Sequence, residues 1–132
     1  MSLQRDVIAP PLPGLDAGRN FDQQMSMVVR GGDFLFVSGL TAVDSATGER
    51  IAGTTMRETH QILTNLKLML EAAGSSLDKV VKVNVLLHSM LEAPNMNEVF
   101  ARYFPEPPPA RTVCGARLPG GGRVMIECTA LA

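Results

Sequence analysis

Apolar residues recur every three or four positions in the middle of the chain, which is the spacing of one face of an α-helix. After Thr55 the recurring positions are Met56, Thr59, Leu63, Leu66, Leu70 and Ala73. Thr55 and Glu58 have the spacing of a capping box, and Gly74 is a residue type that commonly ends a helix. The pattern therefore predicts a long helix that begins at Thr55 and stops before Gly74.

Alternation of apolar and polar residues indicates strands elsewhere in the chain. Over residues 80–88 it places Val81, Val83, Val85 and Leu87 on one face and Val80, Lys82, Asn84, Leu86 and His88 on the other. Two earlier runs flank the glycine turn 30–32 and predict a hairpin, and residues 44–49 form a second turn. A shorter helix is expected to end at Pro105, followed by two closing strands around the loop 118–122.

The predicted order β-β-α-β-α-β-β supplies one mixed sheet and two helices, which is an α+β fold with the helices on one sheet face. We expect residues 1–132 to form a single domain. The other face would expose apolar residues such as Val80, Leu86 and Met125. Large exposed apolar patches mark interfaces between proteins, so the pattern predicts a homo-oligomer.

Composition restricts the possible partners. A hydrophobic content of 45% with 19% charged residues is typical of a soluble globular domain. The net charge of −1, the single Tyr and the lack of Trp or of a Lys/Arg cluster argue against nucleic-acid binding. The sequence has no long apolar run and no signal-like start, so we expect a cytoplasmic protein without a membrane span.

The two cysteines and two histidines are interpreted as structural. Cys114 and Cys128 lack CxxC spacing and are expected to be small buried apolar residues, with a disulfide between them as the less favoured alternative. His60 is predicted on the apolar side of the long helix, and His88 ends a strand. Neither histidine has partners at metal-ligand spacing, so no metal site is predicted.

Two charged residues, Arg111 and Glu127, lie within the otherwise apolar closing strands. If these strands form a hairpin, Arg111 pairs with Thr129 and Val113 with Glu127, which brings the two charges diagonally together on one face. One interpretation is an ion pair that sets the hairpin register. The other is a ligand site, because Arg111 follows the rigid proline run 105–109 and a guanidinium fork matches a planar carboxylate.

Five segments also occur in a fixed order from about Val28 to the end of the chain. They are "VSGL", "TGE", "TNLKLMLEAAGSSLDKVVKVNVLL", "NEVFARYFPEPPPARTV" and "LPGGGRVMIECTALA". In order and spacing they resemble the RidA/YjgF family of reactive imine and enamine deaminases. The resemblance implies a chorismate-mutase-like fold that assembles as a homotrimer, with a pocket at each subunit interface.

The resemblance also assigns site residues. It implies that Arg111 binds the substrate carboxylate and that Glu127 handles the hydrolytic water. Ser38 and Gly39 match positions that line the pocket, and Asn97 matches one contributed by the adjacent subunit. The structural alternatives are a strand-end serine at Ser38 and a solvent-facing helix position at Asn97.

The chain departs from the family pattern at positions that bear on substrate choice. An N-terminal Gly-Pro-Tyr element is missing, so that Met25 stands at the tyrosine position without a gap and Phe21 with one. Leu40 replaces a frequent glutamine, and Val113 stands where many members have Cys or another small or polar residue. We expect a less polar pocket than in those members.

The implied activity is hydrolysis of small carboxylate-bearing 2-imino or 2-enamino acids, such as 2-aminoacrylate or 2-iminobutyrate, to 2-keto acids and ammonia. It requires no metal or organic cofactor. Two alternatives remain: a non-catalytic carboxylate-binding or holdase protein of the same fold, and, less favoured by the acidic balance, an endoribonuclease or translation inhibitor.

Overall fold

One mixed six-stranded sheet organises the computed structural model, which describes residues 4–132. In chain order the strands are β1 (Arg5–Ile8), β2 (Val28–Gly31), β3 (Phe34–Leu40), β4 (Val80–Leu87), β5 (Ala110–Gly115) and β6 (Val124–Leu131). Their order across the sheet is β1-β2-β3-β6-β4-β5, and β4–β5 is the parallel pair. Strand β1 was not predicted, because its sequence is short and half charged. Residues 1–3 of the expected domain lie outside the described range.

Two helices, α2 (Thr55–Ala72) and α3 (Ala93–Tyr103), cover one face of this sheet, after a short helix α1 (Ala17–Asn20). The α+β prediction is thus confirmed. The apolar stripe of α2 is buried, and the helix ends before Gly74, whose φ is +84°. The predicted capping box is wrong by one residue: the Thr54 hydroxyl, not Thr55, accepts the N–H of Arg57 at 3.1 Å.

The sheet has a helix-covered face and an open face. Side chains on the helix-covered face are fully or almost fully buried: Val83, Val85, Leu87, Val124, Ile126, Cys128 and Ala130. The open face carries Lys82, Asn84, Leu86, Met125, Glu127 and Thr129, which alternate with them. The predicted patch residues Leu86 and Met125 are indeed only partly buried there.

A register irregularity between Val80 and Lys82 changes the start of β4. Val80 is 7% exposed and belongs to the core, whereas Val81 is 39% exposed. The prediction that Val80 lies on the open face and Val81 on the other is therefore wrong. A local irregularity of this kind adds one residue to one strand, so side chains on its two sides exchange faces.

The closing strands do not form the predicted hairpin. β5 pairs in parallel with β4 after the α3 crossover, and β6 pairs with β4 and β3 from the other side. Cys114 on β5 is exposed and Cys128 on β6 is buried, and both are free thiols. The expectation of burial is therefore wrong for Cys114. Among residues 4–132, no helix is both long and apolar enough to cross a membrane.

Candidate active site

Arg111 lies on the edge strand β5, in register with Val83 of the helix-covered face. Its guanidinium carbon lies 4.8 Å from the centroid of the Phe100 ring, which belongs to α3. Such a cation–π contact orients the guanidinium without using its N–H donors. Arg111 is exposed and forms no ion pair within residues 4–132, so its fork is free to bind a carboxylate.

Two other predicted site residues, Val113 and Asn97, lie on the helix-covered side of the sheet, as Arg111 does. Val113 follows two residues after Arg111 on β5 and packs against the edge of the core. Asn97 is exposed on α3, three residues before Phe100, and residues with this spacing are neighbours on a helix surface. Together Arg111, Val113 and Asn97 form what we call the arginine half-site.

Glu127 lies on the open face, near the middle of β6. The Asn84 side-chain amide donates a hydrogen bond to its Oε1 at 2.7 Å. The second carboxylate oxygen accepts no hydrogen bond from residues 4–132, and the carboxylate lines a cavity of about 160 Å³ together with Phe36, Lys82 and Thr129. The amide holds the carboxylate in place and leaves one oxygen available to a water molecule or ligand.

A second cavity, of about 300 Å³, adjoins Met125, two residues before Glu127 on the same strand face. Met25 and Phe21, the two candidates for the missing tyrosine position, both line it, as does Gly39. A Cβ atom at Gly39 would lie 2.7 Å from the sulfur of Met125, so a larger residue at this position would displace the Met125 side chain. Glu127 lines the first cavity, and Gly39 and Met25 line the second; we call these three residues the glutamate half-site.

Ser38 has a structural partner. Its hydroxyl donates to the carbonyl oxygen of Ser26 at 2.7 Å and ties β3 to the segment before β2. A hydroxyl has a single hydrogen, so a ligand would meet Ser38 only as an acceptor.

The two half-sites point away from each other within one chain. Arg111 is in register with Val83, and Glu127 is in register with Asn84. Val83 and Asn84 are consecutive residues of β4, so their registered partners point to opposite faces of the sheet. The expectation that Arg111 and Glu127 meet on one face is therefore wrong, and so is the interpretation as a register-setting ion pair.

Burial changes the chemistry of the neighbouring cysteine. Burial, and secondarily the charge of Glu127, raise the pKa of the Cys128 thiol to about 12. At neutral pH the thiol is protonated, and a protonated thiol is a poor nucleophile.

Sequence reasoning missed the position of Glu58. This carboxylate is 4% exposed; its Oε1 accepts the N–H of Arg123 at 2.9 Å, and its Oε2 lies 3.8 Å from the Arg123 Nε. Glu58 therefore fixes the residue that precedes β6 instead of capping α2. The spacing of Glu58 from Thr55 predicted a helix-capping role. A local sequence pattern does not reveal a hydrogen-bond partner 65 residues away.

The histidine next to this part of α2 also differs from its prediction. His60 is exposed, and its Nδ1 lies 2.5 Å from the hydroxyl of Tyr103 on α3. The hydrogen bond links the two helices at the surface. Residues 4–132 contain no cluster of three His, Cys, Asp or Glu side chains able to hold a metal ion.

Comparisons with known proteins agree with this architecture. The family model described as endoribonuclease L-PSP matches residues 20–132. A RutC family protein of Pyrococcus horikoshii is 44% identical over 108 residues, which are 81% of this chain and 84% of that protein. A 2-iminobutanoate/2-iminopropanoate deaminase of Dermatophagoides farinae is 36% identical over 103 residues, covering 77% of this chain and 80% of that one. The crystal structure of RidA from an Antarctic Psychrobacter matches with a TM-score of 0.78 and 36% identity, covering 83% of this chain and 89% of that one. The family match and these similarities show that the chain belongs to the RidA/YjgF family.

Proposed function

We propose that this protein is an imine deaminase that hydrolyses small 2-imino and 2-enamino acids to 2-keto acids and ammonia. The observation that carries the proposal is a free, oriented guanidinium at Arg111 together with a Glu127 carboxylate that keeps one oxygen unbonded by protein. Similarity to the 2-iminobutanoate/2-iminopropanoate deaminase of Dermatophagoides farinae supports this reaction class. The net charge of −1 gives no support to an RNA substrate, despite the description of the family model.

The proposal includes a pocket shared between copies of the chain. Because the two half-sites occupy opposite sheet faces, one chain cannot present both to a small ligand. In a cyclic homotrimer, the arginine half-site of one copy would face the glutamate half-site of the next, because a ring repeats one interface between two different surfaces of the same chain. The exposed aromatic side chains of the open face support such burial: Phe34 is 41% and Phe36 50% exposed.

The reaction needs binding, a positioned water and one proton acceptor. The substrate carboxylate accepts two charge-assisted hydrogen bonds from Arg111. Water attacks C2, the new C–O bond forms, and the π electrons of the C=N bond move to the nitrogen. Glu127 accepts a proton from the water and returns it to the nitrogen, which gives a carbinolamine. Glu127 then takes the proton of the new hydroxyl group and delivers it to the nitrogen, so that the C=O bond forms, the C–N bond breaks and ammonia leaves. An enamine substrate first gains a proton at C3 and loses one from its nitrogen, which converts it to the imine.

Asn84 acts through Glu127 in this scheme. Its amide donates to the carboxylate oxygen Oε1, so it holds the orientation of the acid and base without blocking the other oxygen. Positioning of the substrate and the water accounts for much of the rate acceleration, because imine hydrolysis is already easy in water.

The test measures binding and turnover in the same variants. Arg111→Lys keeps a charge but loses the fork, so it should weaken both 2-oxobutyrate binding and turnover. Glu127→Gln should lower the rate by about 10²-fold to 10⁴-fold, the usual contribution of a general base, with nearly normal binding. The measurements are ammonia release from freshly generated 2-iminobutyrate, corrected for spontaneous hydrolysis, and thermal protection by 2-oxobutyrate.

Glu71→Gln, which neutralises an exposed carboxylate on α2, is the matched control and should behave as wild type. Equal rates for Glu127→Gln and wild type would remove the base role. Binding of 2-oxobutyrate without acceleration of any imine would favour the non-catalytic carboxylate-binding alternative.

A further inference from the structure

The cavity beside Gly39 holds a cationic group that the proposed reaction does not use. Most of its wall is apolar, and Arg50 is the one charged residue among the described residues that line it. A volume of about 300 Å³ reaches the lower end of the range for small-molecule sites. Glu127 does not line this cavity, but Met125, which does, lies two residues before Glu127 on the same face of β6.

Arg50 is exposed, and two contacts together with the space at Gly120 orient its guanidinium. Its Cζ lies 4.5 Å from the centroid of the Phe21 ring. Its Nη1 donates to the carbonyl oxygen of Pro119 at 3.2 Å. A Cβ atom at residue 120 would lie 2.5 Å from the guanidinium carbon, so Gly120 leaves the space that the group occupies. The stacking and the carbonyl contact limit the positions of the group, and the bond to Pro119 is the one hydrogen bond that it donates to residues 4–132, which leaves N–H donors for a ligand.

No carboxylate neutralises Arg50 within residues 4–132. Glu58 lines the adjoining cavity together with Arg50, but its carboxylate accepts the Arg123 N–H and lies beside the Arg123 Nε. An oriented, unpaired guanidinium on an apolar wall is suited to a ligand that combines methylene groups with an anionic end.

We propose that Arg50 is a specificity-determining residue that binds a second, distal carboxylate of the substrate, so that this protein prefers the imines of dicarboxylic amino acids. The inference rests on the proposed function, in which Arg111 binds the carboxylate next to the imine carbon. The apolar chain between the two carboxylates would contact Met25 and Met125, which line the same cavity.

The alternative occupant is the apolar tail of a monocarboxylic imino acid. Such a tail would cover the guanidinium of Arg50 and remove water from it without supplying an acceptor, which is unfavourable. A distal carboxylate replaces that water with charge-assisted hydrogen bonds. Sites that bind a substrate polar group strongly reject the analogue that lacks it.

The first experiment compares two keto acids of equal carbon-chain length, 2-oxoglutarate and 2-oxopentanoate, by calorimetric titration of the intact protein. Wild type should bind 2-oxoglutarate about tenfold more tightly, as expected for one charge-assisted contact. In Arg50→Met this ratio should fall to about one, and Arg50→Lys should give an intermediate ratio because the fork is lost. Arg30→Met, which removes another exposed arginine from β2, is the matched control and should keep the wild-type ratio.

The second experiment measures turnover of the two corresponding imines, generated by amino-acid oxidases from glutamate and from 2-aminopentanoate. The ratio of their kcat/KM values should favour the dicarboxylic imine in wild type and fall in Arg50→Met. A lower melting temperature of Arg50→Met with an unchanged ratio of kcat/KM values would show that Arg50 only stabilises the loop at Pro119. That result would overturn the inference.

The two proposals fail in different ways. If wild type hydrolyses the monocarboxylic imine but shows no preference that depends on Arg50, the specificity inference is wrong and the deaminase proposal stands. If no imine is hydrolysed, the deaminase proposal fails, and the keto-acid affinities alone decide the role of Arg50. Equal affinities for the two keto acids, or no binding of either one, would overturn the specificity inference.

Discussion

Mixing two variants of low activity tests the shared pocket directly. Arg111 and Glu127 are in register with consecutive residues of β4 and therefore point to opposite sheet faces. Each catalytic site would then combine Arg111 from one copy with Glu127 from the next. The perturbation is to assemble Arg111→Lys and Glu127→Gln subunits together in equal amounts.

The expected activity follows from counting sites. In a random ring of the two variants, half of the copies supply the native arginine and half supply the native glutamate. About one quarter of the sites then carry both native residues, so about one quarter of wild-type activity should return. If each site lay within one chain, every site would lack one of the two residues, and the mixture would stay as inactive as its parents.

The assay is ammonia release from 2-iminobutyrate after the two variants have been co-expressed, or unfolded and refolded together. A mixture of wild type with the double variant is the matched control: shared sites predict about one quarter of wild-type activity, whereas sites within one chain predict about one half. No recovery in the first mixture, together with one half in the second, would refute the assignment of the half-sites to different copies.

Three further outcomes are expected. Glu58→Ala should lower the free energy of unfolding, measured in urea, by about 2 kcal/mol, because the backbone N–H of Arg123 loses its charged acceptor. Glu58→Gln should lower it less. A free energy for Glu58→Ala within about 0.5 kcal/mol of wild type would contradict this. Burial raises the pKa of Cys128 to about 12, so iodoacetamide at pH 8 should leave this thiol unmodified in the native protein and label it after unfolding. If mass spectrometry finds Cys128 labelled in the native protein, the result would count against its burial. Hydrogen bonds from the N–H groups of Thr47 and Ala46 lower the pKa of Asp44 from 3.8, so its contribution to stability is present above that pH and lost as the pH falls through the folded-state pKa. The stability gap between wild type and Asp44→Ala should therefore narrow below pH 4 in urea titrations, and a gap independent of pH would argue against these hydrogen bonds.

Local pattern in the sequence determined most of the individual elements. The spacing of apolar residues predicts α2, and the alternation over residues 80–88 predicts β4. The glycine turn gives the β2–β3 hairpin, where Gly32 has a φ of +59° that glycine adopts without strain. These features depend on residues close together in the chain, so a local pattern is enough to specify them. Family resemblance, not periodicity, assigned candidate roles to Arg111 and Glu127.

Tertiary structure alone decided which strands pair and which residues share a face. The alternation in β5 and β6 suits a hairpin as well as separate partners, but β4 lies between them. An irregularity near Val80 then exchanges faces at the start of β4, although the sequence alternation continues through it. Glu58, Arg50 and their partners are likewise joined by contacts between distant segments. Pairing and register depend on the total burial that competing arrangements of the whole chain achieve, and no single segment carries that information.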